Sequence, residues 1–306
     1  MTNTVGAPPA PGRRKGLSWS RTVPRELVHR TSVAEVLLTD VRRTAAGMFE
    51  AAACWPRSHS TFPADGSDLH SPLLVVETLR QLGIYLPLRW FGVSPAAHMV
   101  IADVFFALMA EREPRAGHGG SEVACTVAVG GVRRHADGSL AGLRLDVEFR
   151  AHGRAFARAG GGARFLAPDR YAAVRAGRFG ALQPPPGAGG RPHPDLLAVS
   201  RRADVVVSRR AGVLVVDPAD PRHPFYFDHP SDHVPGMVLL EAARQAAAEA
   251  SGGTLLRPTS GRLVAEHFTE YLPAARVEAV PHHHTCVFRV RQGTARTAYG
   301  VLGYGF

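Results

Sequence analysis

The chain has 306 residues, 45% of them hydrophobic, a formal net charge of +10 and three cysteines, which is enough apolar material for one large core or two modest ones. No apolar run approaches the roughly 18 residues of a membrane span, and no apolar segment follows Arg13-Arg14-Lys15 as a secretory signal requires. Cys54, Cys125 and Cys286 are scattered, as in a reducing cytoplasm, and exclude a cysteine-built zinc site.

Residues 1–24, rich in Pro, Gly, Arg and Ser, read as a flexible tail. A first unit over 25–169 opens with a strand from Val33 to Thr39 and a second from Gly47 to Cys54. A polar loop, Ser58 to His70, leads into a helix from Pro72 to about Leu86. Strands follow around Met99 to Ile101, Glu122 to Val129 and Leu143 to Arg150, the last two joined by a hairpin at Arg134 to Ser139. Gly153 to Phe165 is a further strand, with Gly160-Gly161-Gly162 as a bulge or bend. A linker over 170–193, marked by Pro184-Pro185-Pro186-Gly187, separates this unit from a second over 194–306. There the order repeats: strands at Asp204 to Val207 and Gly212 to Val216, a loop, then a helix from Pro235-Gly236 to the stop at Ser251-Gly252-Gly253. Strands at Gly261 to Glu270, Ala274 to Val280, Thr285 to Gln292 and Thr294 to Tyr304 close the chain.

The repeat is sharpest at the helices. Setting Glu77 on Glu241 brings Ser67-Asp68 onto Ser231-Asp232 and Arg80-Gln81 onto Arg244-Gln245 without a gap. Glu, Arg and Gln at i, i+3 and i+4 share one face of an otherwise apolar helix. A buried Glu and Arg must be paired or put to use. They therefore read either as a structural ion pair or as site residues. The histidines ahead of the helices are not strictly equivalent, since His70 precedes Glu77 by seven residues and His233 precedes Glu241 by eight.

A His followed by Pro-Gly and a buried helix with a Glu resembles the hotdog-fold enzymes of acyl thioesters, such as hydroxyacyl-carrier-protein dehydratases. The fuller pair, LLVVETLRQ at Leu73 to Gln81 and DHVPGMVLLEAARQ at Asp232 to Gln245, resembles the A-factor biosynthesis family of gamma-butyrolactone synthases over roughly residues 25 to 306. The resemblance implies an α+β chain with a tandem, double hotdog fold, each half an antiparallel sheet around one apolar helix. It also implies transfer of a beta-ketoacyl group from acyl carrier protein to the hydroxyl of dihydroxyacetone phosphate, without a cofactor or metal. One departure is Ser71, where an acidic residue often follows the His.

Two such units in one chain should pair edge to edge as a pseudo-dimer, covering two open strand edges, with a homodimer of such chains as a further option. Acyl transfer needs a polarised carbonyl, a base for the hydroxyl and exclusion of water. The helix N-terminus at Gly236 and Met237 can stabilise an oxyanion. Glu241 or His233 can serve as base, and Arg244 can hold a phosphate or orient Glu241. Glu77 and Arg80 form a second site or reach the same cleft. His229, Asp232, Gln245, His70 and Gln81 complete the expected substrate-binding set, with the second half as the main site. Asp228, His229, Asp232 and His233 have metal-ligand types, but the loop lacks a third dedicated ligand pattern. The dispersed arginines have no helix-turn-helix context, so the positive charge points to an acidic carrier and a phosphorylated substrate instead of nucleic acid. The rival readings are a dehydratase or thioesterase on the same thioesters, and a non-catalytic, ligand-binding double hotdog.

Overall fold

Along most strands every second side chain is apolar, so one face of the sheet is buried and the other meets water. In β5 (Leu140–Ala151), Leu143, Leu145, Val147 and Phe149 are buried while Arg144, Asp146 and Arg150 are exposed. The structure, a computed structural model, describes residues 16–63, 66–175, 177–178, 184–185, 187 and 189–305. Residues 1–15 of the expected tail and residues 176, 179–183, 186 and 188 of the expected linker lie outside the described residues.

The first half contains β1 (Leu38–Ala45), β2 (Met48–Pro56), helix α1 (Leu73–Trp90), β3 (His98–Leu108), β4 (Gly120–Arg134), β5 and β6 (Arg154–Leu166). Helix α2 (Pro168–Arg175) follows. The second half contains β7 (Val207–Arg210), β8 (Val213–Val216), helix α3 (Gly236–Ala250), β9 (Ser260–Ala265), β10 (Arg276–His282), β11 (Thr285–Gln292) and β12 (Ala295–Gly303). All the strands join one antiparallel sheet in the order β1-β2-β4-β5-β6-β3-β9-β12-β11-β10-β8-β7. Read inward from either edge, the two halves have the same order. They meet where β3 pairs with β9, Val104 opposite Leu263 and Phe106 opposite Gly261. The sheet thus continues through the boundary between the halves, and neither half exposes an edge there.

Helix α1 packs on β3, β5 and β6, and α3 on β10 and β11. Both are apolar nearly all round, and both are buried along most of their length. Among the described residues no helix is long and apolar enough to cross a membrane.

Several elements differ from expectation: the strand expected over Asp204 to Val207 begins only at Val207, the one around Met99 to Ile101 runs to Leu108, and α1 runs on to Trp90. Val33–Glu35 is a 3-10 turn, because Ser32 Oγ accepts the Ala34 N–H and Gln81 Oε1 captures the N–H groups of Leu37 and Leu38. β9 stops at Ala265, since the next two N–H groups both turn to the Thr297 carbonyl. The bulge near Gly160 to Gly162 belongs to the partner strand, between Ile101 and Asp103 of β3. The expected linker begins inside α2, which local propensity does not announce.

A side chain at Gly261 would meet the Phe106 ring across the seam, 2.5 Å from its Cβ. Gly261→Val is expected to lower stability by about 1–3 kcal/mol through overpacking, measured as the shift in a denaturation midpoint at unchanged slope.

Candidate active site at the helix termini

Each helix carries its Glu-Arg-Gln triad as a closed hydrogen-bonded unit. On α1, Arg80 Nε and Nη2 donate to the two Glu77 oxygens at 2.8 and 3.0 Å, and Gln81 Nε2 donates at 2.7 Å. On α3, Arg244 reaches Glu241 at 2.9 and 2.6 Å and Gln245 reaches it at 2.8 Å. The Gln amide then bonds the chain leading into the edge strand. Gln81 joins the Glu35 carbonyl and the Leu37 N–H, and Gln245 joins the Asp204 carbonyl and the Val206 N–H. Arg244 also donates to the carbonyls of Leu197 and Leu256. The ion pair of the structural reading is thus formed in both halves.

The halves differ around these units. Arg30, buried beside α1, lies 2.8 Å from Glu77 Oε1 and donates to the Phe225 carbonyl of the second half. Burial alone would raise the Glu77 pKa, but Arg30, Arg80 and their hydrogen bonds hold it at about 2. The N-termini differ too. Ser71 Oγ accepts the Leu73 N–H at 3.3 Å ahead of α1, although its N-cap Pro72 supplies no side-chain cap, and α3 opens through Pro235-Gly236, likewise with no side-chain cap. Its first N–H groups, on Gly236 and Met237, have no acceptor within the helix.

Gly236, Met237 and Leu240 line an apolar cavity of about 630 Å³, mouth included, against Val76, Leu79 and Arg80 of α1. Glu241 and Arg244 line a different cavity, with Ser71 and Pro72 from the first half. The expected single constellation of Gly236 and Glu241 is thus divided: the two residues lie on one helix but face different cavities.

Four and three residues before Gly236, Asp232 and His233 form a pair. His233 Nδ1 lies 2.7 Å from Asp232 Oδ1. The same carboxylate accepts from Tyr171 Oη at 2.8 Å and from Arg175 Nε at 3.1 Å, both on α2. Arg175 is itself held by Glu270 at 2.7 and 2.8 Å. Burial would raise the Asp232 pKa, but the hydrogen bonds from His233 and Tyr171 and the charge of Arg175 hold it below the usual carboxylate range. An ionised Asp232 only accepts, so Nδ1 of His233 carries the proton and Nε2 offers its lone pair. His98 stacks on Tyr171 at 3.8 Å, and Phe268 packs edge-on against His233.

The chain matches the model of the A-factor biosynthesis hotdog domain over residues 14–167 and 201–262. It belongs to that family. The 2-oxo-3-(phosphooxy)propyl 3-oxoalkanoate synthase of Streptomyces virginiae is 38% identical over 267 residues, covering 85% of this chain and 87% of its own length. Synthases of the same name from Streptomyces coelicolor and Streptomyces griseus are 32% and 31% identical, covering 78% and 80% of this chain and 76% and 81% of their own lengths.

Within this family member the structure brings Asp232 and His233 together at the open end of α3. It sets His229 apart, exposed, with Nδ1 on the Pro230 carbonyl. Asp228 is engaged by Thr31 and Ser32 of the first half. His70 is buried, with Nε2 on Ser121 and its ring against Trp55 and Phe62. Sequence reasoning missed Arg30, Tyr171, Arg175 and Glu270. Tyr171, Arg175 and Glu270 lie outside the segments that match the family model, and none of the four sits in a local motif.

Two predictions follow from the buried charges. Glu77→Gln strands Arg30 and Arg80, and Glu241→Gln strands Arg244, so each should cost about 3–5 kcal/mol, more for Glu77, read by chemical denaturation. The second concerns acid. Burial pushes His29 and His70 down to about 4 from 6.5, so the stability they contribute is complete above 6.5 and is lost as pH falls through 4. Glu77 adds a lower step, complete above 4.5 and lost as pH falls toward 2. Melting temperature against pH should show both steps, and the double variant His29→Asn/His70→Gln should lose the upper one.

Proposed function

We propose that this chain transfers a 3-oxoacyl group from a thioester to the hydroxyl of dihydroxyacetone phosphate, giving a 2-oxo-3-(phosphooxy)propyl 3-oxoalkanoate ester. The reading rests on family membership together with one observation: an oriented Asp-His pair at an uncapped helix N-terminus that opens on an apolar cavity. The cavity, within the usual range for small-molecule pockets, takes the acyl chain. The N–H groups of Gly236 and Met237 meet the carbonyl oxygen as negative charge develops on it. His233 Nε2 accepts the proton of the attacking hydroxyl, and Asp232 steadies the resulting imidazolium. The new C–O bond forms, the C–S bond breaks, and the thiolate leaves with the proton from His233.

In this reading the two halves are two hotdog units sharing one sheet, spanning 25–169 and 194–306 as the sequence suggests. Glu77, Arg80, Gln81, Glu241, Arg244 and Gln245 position the helices, while His233, Asp232, Gly236 and Met237 act on substrate. The donor is carried by acyl carrier protein, whose acidity suits a chain of net charge +10, and the reaction takes place in the cytoplasm.

Purified protein with a 3-oxoacyl thioester and dihydroxyacetone phosphate should release thiol and yield the ester, followed by mass. Hydrolysis alone would support the thioesterase reading, and no reaction would sink the proposal. His233→Ala should lower turnover by about 10²–10⁴-fold while leaving the melting temperature near that of the parent, because the side chain is 27% exposed.

A further inference from the structure

The second cavity lies between the halves, and the transfer chemistry makes no use of it. It measures about 660 Å³, mouth included, with Ser60, Thr61 and the start of α1 on one wall and Tyr226, Glu241, Arg244 and Arg257 on the other. It corresponds, in the second half, to the surroundings of Glu77 in the first, but two side chains differ. Left-handed residues, His29 and Ala198, follow the 3-10 turns ending at Val28 and Leu197. The arginine of each helix bonds the carbonyl just before that residue, Arg80 to Val28 and Arg244 to Leu197. Val199 therefore stands where Arg30 stands, and the space that Arg30 fills beside Glu77 is left open beside Glu241.

The second difference is a hydroxyl. Buried His59 pairs with Glu35 at 3.2 Å, and buried His223 pairs with Asp204 at 3.0 Å. Counting three residues on from each His aligns Phe62 with Tyr226. Tyr226 is 7% exposed and lines the cavity. Among the described residues its hydroxyl has no hydrogen-bond partner. Ser60 Oγ and Arg257 Nε, on residues that line the same cavity, are buried without a hydrogen-bond partner. The rest of the Arg257 fork is held by Glu113 and the His70 carbonyl.

Glu241 and Arg244 cancel in charge, as do Arg257 and Glu113. Asp204, also in the lining, is answered by Arg201 and His223, which leaves three unanswered donors on residues beside an open space, and leaving such donors unpaired is costly. A tetrahedral phosphate presents acceptor oxygens in several directions at once, and an arginine N–H favours it. We infer that this cavity is a second ligand site, separate from the transfer centre, that takes a small phosphate ester through Tyr226, Ser60 and Arg257.

Calorimetric titration of the full chain with inorganic phosphate and with glycerol 3-phosphate tests this. One saturable site is expected for glycerol 3-phosphate. Tyr226→Phe, which restores the first half's residue, should weaken it by about tenfold, the size of one hydrogen bond. Val199→Arg should abolish binding by filling the space as Arg30 does, and His233→Ala should bind like the parent. Both cavity variants should keep acyl transfer. The inference is overturned if the parent protein binds neither probe, or if both cavity variants bind as it does. It is equally overturned if His233→Ala loses the site, or if Val199→Arg loses acyl transfer together with binding, since either result merges the cavity with the transfer centre.

Discussion

A carboxylate cannot remain ionised inside an apolar helix-sheet interface unless its charge and lone pairs are answered there. Glu77 is wholly buried and Glu241 is 2% exposed. Each is answered by the arginine one turn along the same helix and by the glutamine beside it. The glutamine carries the connection onward to backbone groups ahead of β1 or β7. In this way the helix, the 3-10 turns and the outer strand of each half are held in one network. A fault at the carboxylate would propagate to all three, because a partly satisfied buried network is worse than an apolar one.

The same network in two copies leaves room for the halves to diverge. In the first half a third partner, Arg30, closes the space beside Glu77 and reaches the second half through the Phe225 carbonyl. Asp228 adds a clasp in the opposite direction, accepting from Thr31 and Ser32. Ser71 accepts the Leu73 N–H ahead of α1, while neither helix has a side-chain cap from its N-cap proline. These local changes make the α3 terminus and the cavity beside Glu241 unlike their counterparts in the first half, without altering the strand order of either half.

The Asp-His pair depends on a segment that lies outside the sheet. Helix α2 has a weak apolar face, yet its Tyr171 and Arg175 are buried because they meet Asp232 and Glu270. Such support matters to His233, since the hydrogen bond at Nδ1 sets its tautomer and its ring orientation. The arginine also lies 4.5 Å over the Phe268 ring, which faces His233 from the other side.

Much of this was legible in the chain itself. Period-two alternation announced most strands, largely apolar character announced α1 and α3, and the repeat of Glu-Arg-Gln announced the duplication. These signals are local, because they reflect burial along a single element. The sequence also showed that Glu and Arg would share a helix face, but not which cavity that face would meet. That was decided by the antiparallel pairing of β3 with β9, which sets each helix terminus against the flank of the other helix. Arg30 and Glu77 are 47 residues apart, and Arg175 and Glu270 are 95 apart. Pairs at such separations carry no spacing rule, because only the folded sheet brings them into contact.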